Sequence, residues 1–264
     1  MKAMILAAGL GTRLLPYTVK RPKPLFPILN KPLLELTVSR LQSAGADAVV
    51  VNTHHLRHHI KKALRHGPGI VVQEEEKILG TGGGLRMALP HFGQEPVLAV
   101  NGDIYHSIDY MEVYRSHVEA KADVTLVLHD YPRFNDVAVD GNLCVRGFNG
   151  SGAGSGSQDR ILAFTGIHVI NPDVLQIIPA NEESCILDCY REVLQQKGVI
   201  RAHMAADHFW TDMGTPADYL KLHADLLGHK APLYGELIPA AAEAPFVGVL
   251  NASIAEDAKL LDWV

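Results

Sequence analysis

Through the first hundred residues, short apolar runs of strand type alternate with longer stretches of helical spacing, and no other feature narrows the fold as far. Such alternation calls for successive βα units around a largely parallel sheet. Residues 3–6 read as a buried strand that runs into a Gly-rich loop. Residues 32–44 carry Leu33, Leu36, Leu41 and Ala44 at helical spacing, with Gly45 where a helix C′ residue belongs. Strands are expected at 48–51, 70–73 and 97–100, a basic helix at 56–65, and a helix starting at 84 that stops before Pro90. Further on, helix is expected at 109–122, near 172–178, at 187–196 and at 216–227, and strand at 124–128, 161–170 and 199–203. Asp140 and Gly141 between 137–139 and 143–145 mark a hairpin. Residues 148–157, FNGSGAGSGS, have the composition of a mobile surface loop.

The expected architecture is therefore α/β: a Rossmann-like, mostly parallel sheet flanked by helices over residues 1–228, followed by a tail at 229–264. In the tail, Ile254 and Leu260 stand six residues apart. That is the period with which a left-handed parallel β-helix begins, and an extended tail is the other reading.

Composition limits the function classes. Hydrophobic residues at 47% with 20% charged exclude a disordered chain. With 24 Lys and Arg against 29 Asp and Glu, the net charge of -5 gives no bulk attraction to nucleic acid or anionic membrane. Any phosphate binding must be local. Cys144, Cys185 and Cys189 fit neither a zinc pattern nor a disulfide framework, so a reducing cytoplasm is the expected compartment. The apolar stretch after Lys2 is broken by Gly9, Gly11 and Arg13, and no apolar run is long enough to span a bilayer, so a soluble protein is expected. A homo-oligomer is left open.

Four segments carry chemistry. The first, AAGLGTRLLP, has small residues that let backbone amides approach a ligand, plus Arg13 as a fixed charged fork. It is neither a Walker loop, lacking GK[ST], nor a dinucleotide fingerprint, since Leu14 replaces the third Gly. A tight turn would explain the glycines alone. In the second, RPKPLFPILNKP, Pro22 and Pro24 are expected to hold Lys23 in extended backbone where its ammonium meets an anion; the plainer reading is a linker. Third, Asp103 follows an apolar strand at the carboxyl end, where open α/β sheets place ligands, although NGD is also a turn sequence. Fourth, Asp212 lies in FWTDMGT, ahead of Pro216, where it could also cap a helix.

In this order, over residues 1–227, these motifs resemble the sugar-1-phosphate nucleotidyltransferase family, whose members join a nucleoside triphosphate to a sugar 1-phosphate. The resemblance implies that Ala8, Gly9, Gly11, Thr12 and Arg13 hold the triphosphate and that Lys23 touches the reacting phosphates. It implies that Gly80, Thr81, Gly82 and Gln73 lie against base and ribose, with amides at Gly82 to Gly84 left free by a helix start. It further implies that Asp103 and Asp212 share one Mg²⁺, which accepts two carboxylates beside phosphate oxygens and water. The expected catalytic set is thus Arg13, Lys23, Asp103 and Asp212. Many relatives carry an EKP-like segment on the sugar side; here the Gly and Ser loop stands in that place, and Asn135, Arg160 and Gly166 are the candidate sugar contacts.

GTGGGLRMALP and the VNGD strand end look most similar to N-acetylmuramate-1-phosphate uridylyltransferases, with mannose- and heptose-1-phosphate guanylyltransferases close behind. UTP is the favoured nucleotide and GTP the alternative. A catalytically silent subunit that senses nucleotide sugars is the rival from another class, and retention of all four reactive residues speaks against it. THHLRHH, with His54, His55, His58 and His59, reads as a solvated basic helix face, and Glu74, Glu75 and Glu76 as a solvated loop.

Overall fold

The computed structural model describes residues 1–65, 67–148 and 159–237. Strand β1 (Lys2–Leu6) leads into the Gly-rich loop, followed by the short hairpin β2 (Pro27–Ile28) and β3 (Lys31–Pro32) and helix α1 (Leu33–Ser43). Then come β4 (Ala48–Thr53), α2 (Arg57–Leu64), β5 (Ile70–Glu74), α3 (Gly80–Ala88), β6 (Val97–Asn101), β7 (Ile104–His106) and α4 (Tyr110–Ala120). The second half holds β8 (Val124–His129), β9 (Asn135–Val139), β10 (Val145–Gly147), β11 (Arg160–Ile170), α5 (Ile186–Gln195), β12 (Ile200–Met204), β13 (Trp210–Asp212) and α6 (Pro216–Leu227).

The main sheet runs β10-β9-β11-β6-β1-β4-β5, with β8 joining β11 and β12 at its side. β6, β1, β4 and β5 are mutually parallel, as are β8 and β12, whereas β11 is antiparallel to β6, β8 and β9. Alternation in β1 sends Met4 into one apolar layer and Ala3 and Ile5 into the other, so helices must cover both faces. Local signals set the element ends. Gly45, at φ 88°, closes α1 with amide bonds from Gly45 to the Gln42 carbonyl (2.9 Å) and from Ala46 to the Leu41 carbonyl (2.9 Å). The Asp109 carboxylate caps α4, and Thr215 with Asp218 boxes the start of α6, where Pro216 occupies the first turn.

Two departures from the sequence reading concern the site. Helix α3 begins at Gly80, four residues before the expected start, so GTGGG is itself helical. The strands β7 and β13, not foreseen as a pair, form a separate two-stranded sheet in the register Asp212 opposite Ile104. Under it lies a third apolar cluster of Tyr105, Met213, Leu222 and Leu226, which the chain beyond α6 completes with Ala231, Tyr234 and Leu237. Tyr234 stacks on Tyr105 at 4.2 Å and accepts from Arg40 at 3.0 Å. The Gly and Ser stretch after Phe148 and the six-residue period near the end lie outside the described residues.

Candidate active site

The loop after β1 is pinned from behind and open in front. Its first amide, on Ala7, donates to the Asn52 Oδ1 at 2.7 Å. Gly11 sits at φ 64°, and a Cβ there would stand 2.9 Å from Thr18 Cγ2 and 3.3 Å from Lys23 Cβ, so this turn requires glycine. A Cβ on Gly9 would meet nothing within 4 Å, which makes Gly9 a position of open approach. Gly9, Gly11, Thr12, Arg13, Lys23, Asp103 and Gly214 line a cavity of about 200 Å³. Ala8 is buried and does not line it.

Lys23 does not lie in extended backbone as expected: it opens a single 3-10 turn, Lys23–Leu25. Pro24 fits because its missing N–H falls where a helical turn has no partner to offer. Only 8% of the Lys23 side chain is exposed, and its Nζ donates to Asp103 Oδ2 at 2.6 Å and to Asp212 Oδ1 at 3.2 Å. Arg13, 58% exposed, reaches Asp212 Oδ2 at 3.5 Å. The two carboxylates arrive by different routes. Asp103 follows β6, where the Gly102 amide donates to the Leu6 carbonyl at 2.9 Å; Asp212 ends β13, and the next amide, on Met213, donates to the Asp103 carbonyl at 3.2 Å. Gly214 leaves room for both side chains, since a Cβ there would stand 2.5 Å from Asp212 Oδ2 and 2.6 Å from an Arg13 nitrogen and would push one of them aside. Two hard oxygen donors converging on one buried ammonium form a donor set that suits Mg²⁺ with substrate oxygens. No group of three or more His, Cys, Asp or Glu able to hold a metal occurs among the described residues, THHLRHH included.

The glycines of α3 prove to be contact surfaces. The Gly82 amide donates to the Ser184 carbonyl at 2.8 Å and that of Gly83 reaches it at 3.4 Å, so these amides are not left free as expected. The reason is close packing: a Cβ on Gly80, at φ 70°, would stand 2.5 Å from the Ser184 oxygen. Thr81 Oγ1 accepts from the Ile186 amide at 3.0 Å. Gln73 is buried, donates through Nε2 to the Gly84 carbonyl at 2.9 Å, and its Oε1 has no partner among the described residues.

Glu75 is corrected too: it is 1% exposed, not part of a solvated loop. Its Oε1 accepts from Asn52 Nδ2 at 2.7 Å and its Oε2 from the Leu79 amide at 3.0 Å. A continuous buried chain therefore runs from the Ala7 amide through Asn52 and Glu75 to Leu79, the residue that precedes α3. Glu74, by contrast, stays at the surface in an ion pair with Lys61.

A second cavity, about 510 Å³, adjoins the first through Arg13 and Asp103. It exists because β6 pairs with Ile167–Ile170 of β11 and β9 pairs with residues 160–163, leaving Phe164, Thr165 and Gly166 unpaired by either. Gly166, at φ 80°, lets Asn101 lie against β11, where a Cβ would stand 2.5 Å from Asn101 Nδ2. Asn135, Asp136, Phe134, Phe164 and Trp210 complete the wall. Asn135 is engaged at both ends, accepting from the Tyr131 amide at 2.9 Å and donating to Asp130 at 2.8 Å. Arg160 does not reach the cavity; its guanidinium contacts Met204 Sδ at 3.6 Å.

The sequence profile of the nucleotidyl transferase family matches residues 2–229. The chain belongs to that family. The transferase is 32% identical to the N-acetylmuramate alpha-1-phosphate uridylyltransferase of Neisseria meningitidis, over 81% of this chain and 94% of that protein. It is 29% identical to the D-glycero-alpha-D-manno-heptose 1-phosphate guanylyltransferase of Aneurinibacillus thermoaerophilus, over 86% and 98%. It spans 66% and 61% of the length of two longer curated relatives. Among solved structures, a putative glucose-1-phosphate thymidylyltransferase from Bacillus anthracis superposes with a TM-score of 0.75 at 21% identity, over 90% of this chain and 99% of that one, which shows the shared fold. No described helix of the transferase is long and apolar enough to cross a membrane.

Proposed function

We propose that the chain transfers a nucleotidyl group from a nucleoside triphosphate to a sugar 1-phosphate, releasing pyrophosphate. The observation that carries this reading is the meeting of Lys23, Asp103 and Asp212 where the Gly-rich loop opens, at the carboxyl ends of β1 and β6. The triphosphate takes the smaller cavity, with loop amides and Arg13 on its phosphates. The sugar phosphate enters from the larger one, and one of its phosphate oxygens attacks the α-phosphorus in line. No general base is needed, because the attacking phosphate is already ionised near neutral pH. Two anions must be held in contact, so the protein's task is positioning and charge compensation. Lys23 and Arg13 supply the cationic part of this. Asp103 and Asp212 would hold Mg²⁺, which when bound neutralises phosphate charge. Gln73, near the end of β5 and bonded to the Gly84 carbonyl of α3, is the residue we assign to the base side.

UTP is the nucleotide we favour, on the 32% identity to a uridylyltransferase; the 29% identity to a guanylyltransferase makes GTP the alternative. The test is pyrophosphate release with Mg²⁺ across a grid of nucleoside triphosphates and sugar 1-phosphates. One productive pair is expected. Silence across the grid, in folded protein that still binds nucleotide, would move the reading to a sensing subunit.

A further inference from the structure

The larger cavity carries information about the sugar that family membership does not. Three carboxylates line it, Asp103, Asp212 and Asp136, against two cations, Arg13 and Arg133. Both cations are committed: Arg13 to Asp212, and Arg133 to Asp218 Oδ1 at 3.0 Å while its guanidinium covers the Phe134 ring at 5.0 Å. Asp103 and Asp212 belong to the Lys23 cluster. That leaves Asp136, the second residue of β9, as the uncommitted charged group of a wall that Phe164 and Leu187 also line. Its carboxylate has no hydrogen-bond partner among the described residues, and burial raises its pKa, with Arg191 acting the other way. Arg191 does not line the cavity and is itself paired with Asp188. The neighbouring Asn135, the sugar contact expected from sequence, spends its carboxamide on the 130–135 turn.

A sugar in this cavity therefore meets one acceptor-rich group and aromatic faces. Hydroxyl and amide hydrogens satisfy Asp136. A carboxylate on the sugar would have to share a proton with it or face like charge in a partly desolvated site, and both cost affinity. We infer that the enzyme takes a sugar 1-phosphate that carries hydroxyl or amide groups and no carboxylate, on the ring or on a substituent, and that Asp136 enforces this choice. The inference rests on the sugar-phosphate reading above, and it separates sugars such as hexoses, heptoses and N-acetylhexosamines from uronic and muramic acids.

The test compares sugar 1-phosphates that differ by one carboxylate, glucose with glucuronate and mannose with mannuronate, and adds N-acetylglucosamine with N-acetylmuramate, where the acid arrives on a lactyl ether. Binding is measured by calorimetry on the full chain with Mg²⁺ and a non-hydrolysable triphosphate analogue, and turnover by pyrophosphate release. In at least one pair the member without the carboxylate is expected to bind at least about tenfold more tightly than its acid. Asp136→Asn should shrink that preference to within about threefold without changing affinity for the triphosphate analogue, and Asp136→Glu should restore it. A residue needed only for folding would lower both affinities together. Equal or tighter binding of the acids, an unchanged preference in Asp136→Asn, or no binding of either member of any pair overturns the inference. Selective binding without turnover would uphold it and sink the transfer reaction; turnover with the acids preferred would do the reverse.

Discussion

The loop between β1 and β2 and the wall built from β9, β11 and β13 border cavities that share Arg13 and Asp103, yet they are held by different means. The loop relies on backbone: Gly11 at positive φ, the Ala7 amide on Asn52, and a 3-10 turn that buries Lys23. The wall relies on side chains from distant strands. Trp210 donates through Nε1 to the Thr165 carbonyl at 2.9 Å and meets Phe134, Tyr131 and His129 edge-on, while His129 Nδ1 and His208 Nε2 lie 2.9 Å apart. A backbone-built loop suits phosphates, which every substrate of such a reaction carries. A side-chain wall suits the part of the substrate that varies, because it is altered without disturbing the loop.

The sharpest way to break this comparison is at the shared point. Asp103→Asn and Asp212→Asn are each expected to cut turnover by about 10³ or more, with thermal midpoints close to wild type. Pyrophosphate release and a melting curve check both halves, and an active variant would remove that carboxylate from the metal pair. Lys23→Ala should lower kcat by about 10² while raising the KM for the triphosphate less, since its ammonium sits between the two carboxylates. Steady-state kinetics decide; a change confined to KM would make Lys23 a binding group only.

On the loop side, Asn52→Ala orphans the Ala7 amide and one oxygen of buried Glu75, and should cost about 1–3 kcal/mol in urea unfolding. Gly11→Ala should cost about 1–2 kcal/mol through its left-handed backbone and the clash with Thr18. Gly9→Ala should leave stability nearly intact and weaken triphosphate binding, because its Cβ projects into open space. Equal effects of the two glycine variants would contradict the division between a shaping and an approaching position.

On the wall side, the expected effect is one of pH. Burial pushes the His129 imidazole down from 6.5 to about 4, with the neighbouring His208 adding to it, and burial lowers His168 to about 3. Below about pH 6.5 the unfolded chain then binds more protons than the folded one, so stability falls as pH drops from 6.5 toward 4 and levels off below the folded values. Urea midpoints at pH 7.5 and pH 5 test the sign; a midpoint that rises at pH 5 contradicts it.

Much of the fold was legible because its signals are local. The β1, β4 and β6 runs, Gly45 after α1, Asp109 before α4 and Pro216 opening α6 each speak through neighbours within one or two turns. GTGGG misled for the opposite reason: its glycines answer to Ser184 and Glu182, a segment about a hundred residues away, and so sit inside a helix where propensity alone disfavours them. Glu75 misled likewise, since an acidic run looks solvated until Asn52 and the Leu79 amide are found around it.

For the site, the sequence alone determined which groups the chain brings: a Gly-rich loop with Arg13, a lysine between prolines, a carboxylate after a buried strand and another before α6. Residue type and order suffice for that, because each group's chemistry is intrinsic to it. Tertiary structure alone decided that Asp103 and Asp212 close on one ammonium, that β11 leaves a gap between β6 and β9, and that Asp136, not Asn135, is the group left free in it. Those outcomes depend on strand register, and register is settled by long-range pairing of whole faces, which no stretch of neighbouring residues contains.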